Sequence, residues 1–217
     1  MAGGWKSVPR KTAWPAKGAD AVERTTDIME DELILVDYDD NECGSMGKLA
    51  VHEKHLLHRA FSVFIFNGTG EQVIIQKRAD HKYHSGGLWA NTCCSHPRAG
   101  EALPDAVSRR LREEAGIECP VKEAGSFIYY APFADGLAEY EYDHVFVGSY
   151  DGAFVPDPAE AQEMKAVDVN WLRGDIAAHP EKYAPWFFTA LRIALDYQDN
   201  IRSGQNESAR RDWENTK

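Results

Sequence analysis

Three separated stretches of this chain carry side chains that bind metals: His52 and His58, then His96 closing Cys93-Cys94-Ser95-His96, then Glu139 and Glu141. Three imidazoles and two carboxylates would make a five-donor site for a borderline divalent ion such as zinc, manganese or magnesium. Cys94 lies two residues before His96 and shortly before Pro97. A nearby cation or metal there would draw its thiol toward the reactive range. Read locally, Cys94 suits a reactive thiol and a small packed one equally, whereas Cys43 and Cys119 read as packing residues. The remaining histidines, His55, His81, His84, His144 and His179, read as surface residues.

For Glu139 and Glu141 to act together they must share one face, which a strand over 139–150 provides, because successive side chains of a strand point opposite ways. Other elements follow from local signals. Residues 32–37 read as a first strand ended by Asp39-Asp40-Asn41. Residues 61–66 and 72–76 flank Asn67-Gly68-Thr69-Gly70 and read as a β-hairpin. Pro104 and Gly116 bracket a helix over 105–115, with Ala106, Val107 and Leu111 as its buried stripe and Arg109, Arg110, Glu113 and Glu114 on its charged face. Residues 125–130 and 167–172 read as strands, and 186–197 as an amphipathic closing helix. One domain over 31–199 is expected, between a tail at 1–30 and a charged tail at 200–217.

Composition limits the chemistry further. The 217 residues carry a formal charge of −11, which disfavours nucleic acid or an anionic membrane as partner. An anionic substrate must be gripped locally by a few basic side chains or a cation. No apolar run approaches the roughly 20 residues of a membrane span, and four cysteines in this length form no secreted disulfide pattern. A cytoplasmic, reduced setting is expected, with an organelle leader in the basic N-terminal stretch left open.

Residues 95–117 resemble a worn Nudix box: Glu101, Arg109, Leu111, Glu113, Glu114, Gly116 and Ile117 fit the pattern, while Ser95 and Arg110 replace a glycine and a glutamate. The lost glutamate weakens a hydrolase reading and leaves diphosphate binding intact. The ordered segments Leu57-His58-Arg59-Ala60-Phe61-Ser62, Asn91-Thr92-Cys93-Cys94-Ser95-His96-Pro97, Arg112-Glu113-Glu114-Ala115-Gly116, Glu139-Tyr140-Glu141 and Ala184-Pro185-Trp186 resemble the type 1 isopentenyl-diphosphate isomerases over about residues 32 to 195.

That resemblance implies an α+β fold, a Nudix-like α/β/α sandwich with a mixed sheet flanked by helices. It implies isomerisation of an isoprenoid diphosphate by protonation and deprotonation through a tertiary carbocation. Carried over by position, the proton carriers fall on Cys94 and Glu141, the active-site tyrosine on Tyr129 and the aromatic lid on Trp186. Ligands of one divalent ion fall on His52, His58, His96, Glu139 and Glu141, with a substrate-associated magnesium near Glu114. Diphosphate-binding positions fall on Lys48, Arg78, Lys82 and Arg110, and a monomer is the expected state. Two rivals remain at this point: a Nudix hydrolase, and a non-catalytic module with a structural zinc, whose mark would be unfolding on metal removal.

Overall fold

The computed structural model describes residues 32–82 and 84–204, so the tail expected at 1–30 lies outside the described residues, as does the chain beyond 204. Its frame is a nine-stranded mixed sheet. The strands are β1 (Glu32–Val36), β2 (Glu42–Gly47), β3 (His58–Phe66), β4 (Gln72–Arg78), β5 (Trp89–Ala90), β6 (Cys93–Ser95), β7 (Val121–Pro132), β8 (Ala138–Ser149) and β9 (Ala161–Asp168). Among the described residues four α-helices join them: α1 (Lys48–Glu53), α2 (Leu103–Ala115), α3 (Val169–Ala178) and α4 (Phe187–Arg202).

Strand β3 organises the sheet. It runs parallel to β8 from His58↔Glu141 to Phe66↔Ser149 and antiparallel to the short β6, where Ser62 faces Cys94. Its odd residues Phe61, Val63 and Ile65 pack with Ala106, Val107, Leu111 and Ala115 of α2, and its even residues Phe64 and Phe66 pack with Phe187, Ala190 and Leu191 of α4. The period-2 alternation of a strand thus builds two apolar layers from one segment, helix on sheet on helix, as the α/β/α expectation requires. Truncating Phe187, fully buried and stacked on Tyr183, would cost about 3–5 kcal/mol.

Helix α2 starts at Leu103 with Pro104 in its first turn and stops where Gly116 adopts φ 66° and donates to the Arg112 carbonyl. The expected hairpin forms with a short ladder, and the strand expected at 167–172 needs correction. The hairpin pairs only next to its turn, at Ile65↔Ile74 and Phe66↔Val73. Beyond that the strands splay around Thr92, whose hydroxyl accepts from the Ile65 N–H at 3.0 Å and donates to the Ile74 carbonyl at 2.6 Å. Those buried backbone groups keep partners although the ladder opens. Nor are residues 167–172 a strand: β9 ends at Asp168, whose carboxylate accepts from the Trp171 N–H at 2.8 Å and caps α3. Among the described residues no helix is long and apolar enough to cross a membrane.

Candidate active site

The splay between β3 and β4 admits β6, and with it Cys94 and His96, onto the face of the sheet that also carries His58, Glu139 and Glu141. Strand β8 inverts the usual pattern on this face. Glu139, Glu141 and Asp143 are buried, while Tyr140 and Tyr142 point the other way and are only partly covered. Register aligns His58 on β3, Glu141 on β8 and Tyr129 on β7 as direct neighbours across three strands.

Helix α1 supplies His52, whose Nδ1 donates to the Lys48 carbonyl at 2.6 Å, and the His58 Nδ1 donates to the Leu56 carbonyl at 2.9 Å. Each carbonyl fixes its ring's tautomer, leaving the Nε2 lone pairs aimed inward. There the His52 Nε2 lies 3.0 Å from Glu139 Oε2, and the His58 Nε2 lies 3.7 Å from the same oxygen and 3.3 Å from the His96 Nε2. Donor atoms of His52, His58, His96 and Glu139 all fall within 4.8 Å of one another. Lone pairs converging on a carboxylate in a dry pocket repel unless a cation sits among them, so these residues fit a divalent ion. Glu141 touches the group through its Oε1, 2.9 Å from the His96 Nε2.

The two glutamates differ in ionisation. Burial opposes the charge of Glu139, yet the contact with His84 holds its carboxyl well below the usual range. Burial, reinforced by Glu139 and Asp143, pushes Glu141 well above it. Tyr129 donates to Glu141 Oε2 at 2.6 Å, and its own phenol is raised by burial and by that carboxylate. Burial also lifts the Cys94 thiol to about 12, against the pull of Arg78, whose Nη1 lies 3.3 Å from Sγ. In the protein alone, desolvation outweighs the adjacent cation. Trp186 is buried. Its Nε1 donates to Asn91 Oδ1 at 3.0 Å, its ring lies 6.2 Å from that of Tyr129, and the Arg78 guanidinium sits 5.2 Å from its centroid.

The basic residues form a second cluster. Lys82 Nζ is 2.5 Å from Glu160 Oε2, and the Arg110 Nη2 donates to Glu160 Oε1 at 2.9 Å and to Glu114 Oε1 at 2.8 Å. These two cations hold Glu160 down at about 2 in spite of its partial burial. Glu114 is buried, with Gln76 at 3.4 Å, so it does not belong to a solvated helix face. Lys48 is half-buried near both clusters: burial lowers its ammonium, and Glu139 and Glu160 oppose that. Glu101 instead clamps Arg109 through two bonds of 2.7 Å.

Several residues were misjudged or overlooked by the sequence reading. His84 and His144 are buried, not superficial: His84 contacts Glu139, and His144 lies 2.7 Å from Glu123 and 3.1 Å from Asp40. Cys43 is exposed. Asp143, lifted to about 8 by burial and bonded to Ser62 at 2.8 Å, had an available signal in its i+2 spacing from Glu141. Glu160 had none, because its partners lie 50 and 78 residues away.

Comparison with known proteins adds the following. A NUDIX domain model matches residues 56–187. The chain is 50% identical over 163 residues to "Isopentenyl-diphosphate Delta-isomerase 2" of Aromatoleum aromaticum, covering 75% of this chain and 86% of that protein. It is 48% identical over 171 residues to the protein of the same name from Photorhabdus laumondii, covering 79% and 96%. Among solved structures, DR0079 from Deinococcus radiodurans superposes with a TM-score of 0.61 at 20% identity, over 75% of this chain and 99% of that one. That likeness establishes the fold.

Proposed function

The chain belongs to the isopentenyl-diphosphate Delta-isomerase family, on a NUDIX fold, and interconverts isopentenyl and dimethylallyl diphosphate; we propose that Cys94 and Glu141 carry the two protons. The observation that carries this reading is the placement of Glu141. It is a buried carboxyl, raised in pKa, between His96 at 2.9 Å and the Tyr129 hydroxyl at 2.6 Å. The reaction adds a proton to the terminal alkene carbon, leaving a tertiary cation, and removes one from the carbon on its other side. Each carrier serves one of these steps.

Glu141, kept protonated by its surroundings, gives the proton, and Tyr129 holds the carboxyl in place through Oε2. Cys94 acts as the thiolate, its own proton having passed to solvent before the substrate closes the site, and takes the other proton to become the thiol; Arg78 at 3.3 Å offsets part of the cost of that buried thiolate. A divalent ion held by His52, His58, His96 and Glu139 would make Glu141 a stronger acid, as an unactivated alkene demands. Nitrogen donors favour zinc or manganese over magnesium at that group. The Trp186 face stabilises the cation, and the Trp186 and Tyr129 rings, 6.2 Å apart, help keep water from trapping it as an alcohol. Lys48, Arg78, Lys82 and Arg110 bind the diphosphate, and Glu114 lies beside Arg110 where a substrate-borne magnesium would be held.

Proton NMR of the protein with isopentenyl diphosphate and magnesium tests the activity. Loss of the terminal alkene signals with growth of the dimethylallyl signals is the expected result. Release of inorganic phosphate instead would replace this reading with a hydrolase.

A further inference from the structure

His84 is the side chain of the pocket that neither the metal group nor the proton carriers account for. It sits on the loop between β4 and β5, 7% exposed, and its Nε2 donates to Glu139 Oε1. The other oxygen of that carboxylate is the one that faces His52 at 3.0 Å and His58 at 3.7 Å. The His84 ring is stacked on Phe133, with centroids 4.7 Å apart and planes at 15°. The loop is bent to hold it there. Ser85, which is not glycine, adopts φ 50°, and Gly87 follows at φ 76°. A Cβ on Gly86 would lie 2.6 Å from the Asp80 carbonyl oxygen. A left-handed serine costs on the order of 1 kcal/mol or more and persists where its surroundings require it.

We propose that His84 is a positioning residue of the metal centre: it anchors Glu139 Oε1 so that Oε2 stays aimed at the His52, His58 and His96 donors. The proposal rests on reading that group as a metal site. A ligand carboxylate left without its anchor rotates among geometries of which only some serve the ion, so affinity falls although every ligand remains. Loss of such an outer partner typically weakens metal binding about 10–100-fold.

The test uses the full chain and two variants. His84→Phe keeps the ring and its stacking on Phe133 but removes the N–H, whereas His84→Gln keeps an N–H at a similar reach. Zinc and manganese dissociation constants are measured by chelator competition, and the visible spectrum of the cobalt-loaded proteins reports the ligand set. The expected result is a dissociation constant raised about 10–100-fold in His84→Phe, largely restored in His84→Gln, with the wild-type cobalt spectrum kept in both. Unchanged affinity in a folded His84→Phe protein would overturn the proposal. So would a His84→Gln protein as weak as His84→Phe with an altered cobalt spectrum, which would make His84 a ligand. A wild-type protein that binds no divalent ion would overturn the metal-site reading itself, an outcome distinct from the other two.

Discussion

The histidine cluster and the basic cluster are linked through Lys48, yet they are opposite in electrostatic design. In the basic cluster Lys82 and Arg110 already have carboxylate partners at 2.5–2.9 Å, and Lys82, Arg110 and Glu160 remain about one-fifth exposed while Glu114 is buried. That cluster is neutralised from within and open enough for an anion to enter. Around Glu139, by contrast, His52 and His58 are fully buried and present lone pairs to an ionised carboxylate. A bound cation would complete its charge balance. On the proposed reading, an acidic protein of charge −11 would hold a diphosphate with two devices, a tempered patch of positive charge and a dry cation site, rather than with net charge.

The largest expected effects come from the side chains between the clusters. Cys94→Ala and Glu141→Gln should each lower kcat by about 10³-fold or more, with circular dichroism and melting temperature near wild type. Near-normal turnover in either would remove that residue from the proton-carrying pair. Next comes chelation. Removing the divalent ion should abolish turnover and lower the melting temperature, because an ion that binds the folded state stabilises it. Binding of inorganic pyrophosphate by calorimetry should survive chelation if the two clusters act separately; its loss would show one merged site.

Substitution within the basic cluster should be milder. Arg110→Ala removes a charge-assisted contact worth about 1.5–3 kcal/mol, so KM for isopentenyl diphosphate should rise about 10–100-fold, more than kcat falls. The smallest effect is on stability. The Glu160 carboxyl sits at about 2 in the fold against 4.5 ordinarily, so its contribution is present above pH 4.5 and is lost as pH falls through 2. Partial exposure limits it to about 1–2 kcal/mol. Urea unfolding of Glu160→Gln should show that deficit at pH 7 and a shrinking one toward pH 3. A deficit independent of pH would mean that Glu160 acts through packing.

The same contrast explains what could be read from the sequence. The box helix was legible because Pro104 and Gly116 mark its ends, and its apolar stripe fixes the buried face. The Glu139 and Glu141 pair was legible because period 2 puts them on one face. Residues 167–172 misled because Val167, Val169 and Leu172 suit either element, and the choice rests on one cap at Asp168. Glu160 and His84 were illegible for another reason. Each is defined by partners brought near by the β4–β9 pairing or by a loop with a left-handed serine, and no local pattern encodes that contact. His84 also stood among eight histidines with nothing in its neighbours to single it out.

In the proposed mechanism Cys94 and Glu141 divide the two proton transfers. The most direct test of that division is proton NMR in deuterium oxide with isopentenyl diphosphate and saturating metal, comparing the wild type with Cys94→Ala and Glu141→Gln. Dimethylallyl diphosphate carrying solvent deuterium is expected from the wild type, and neither product nor label from either variant while both still bind pyrophosphate. Product that forms in the wild type without solvent deuterium, or labelled product from either variant at a comparable rate, would contradict it.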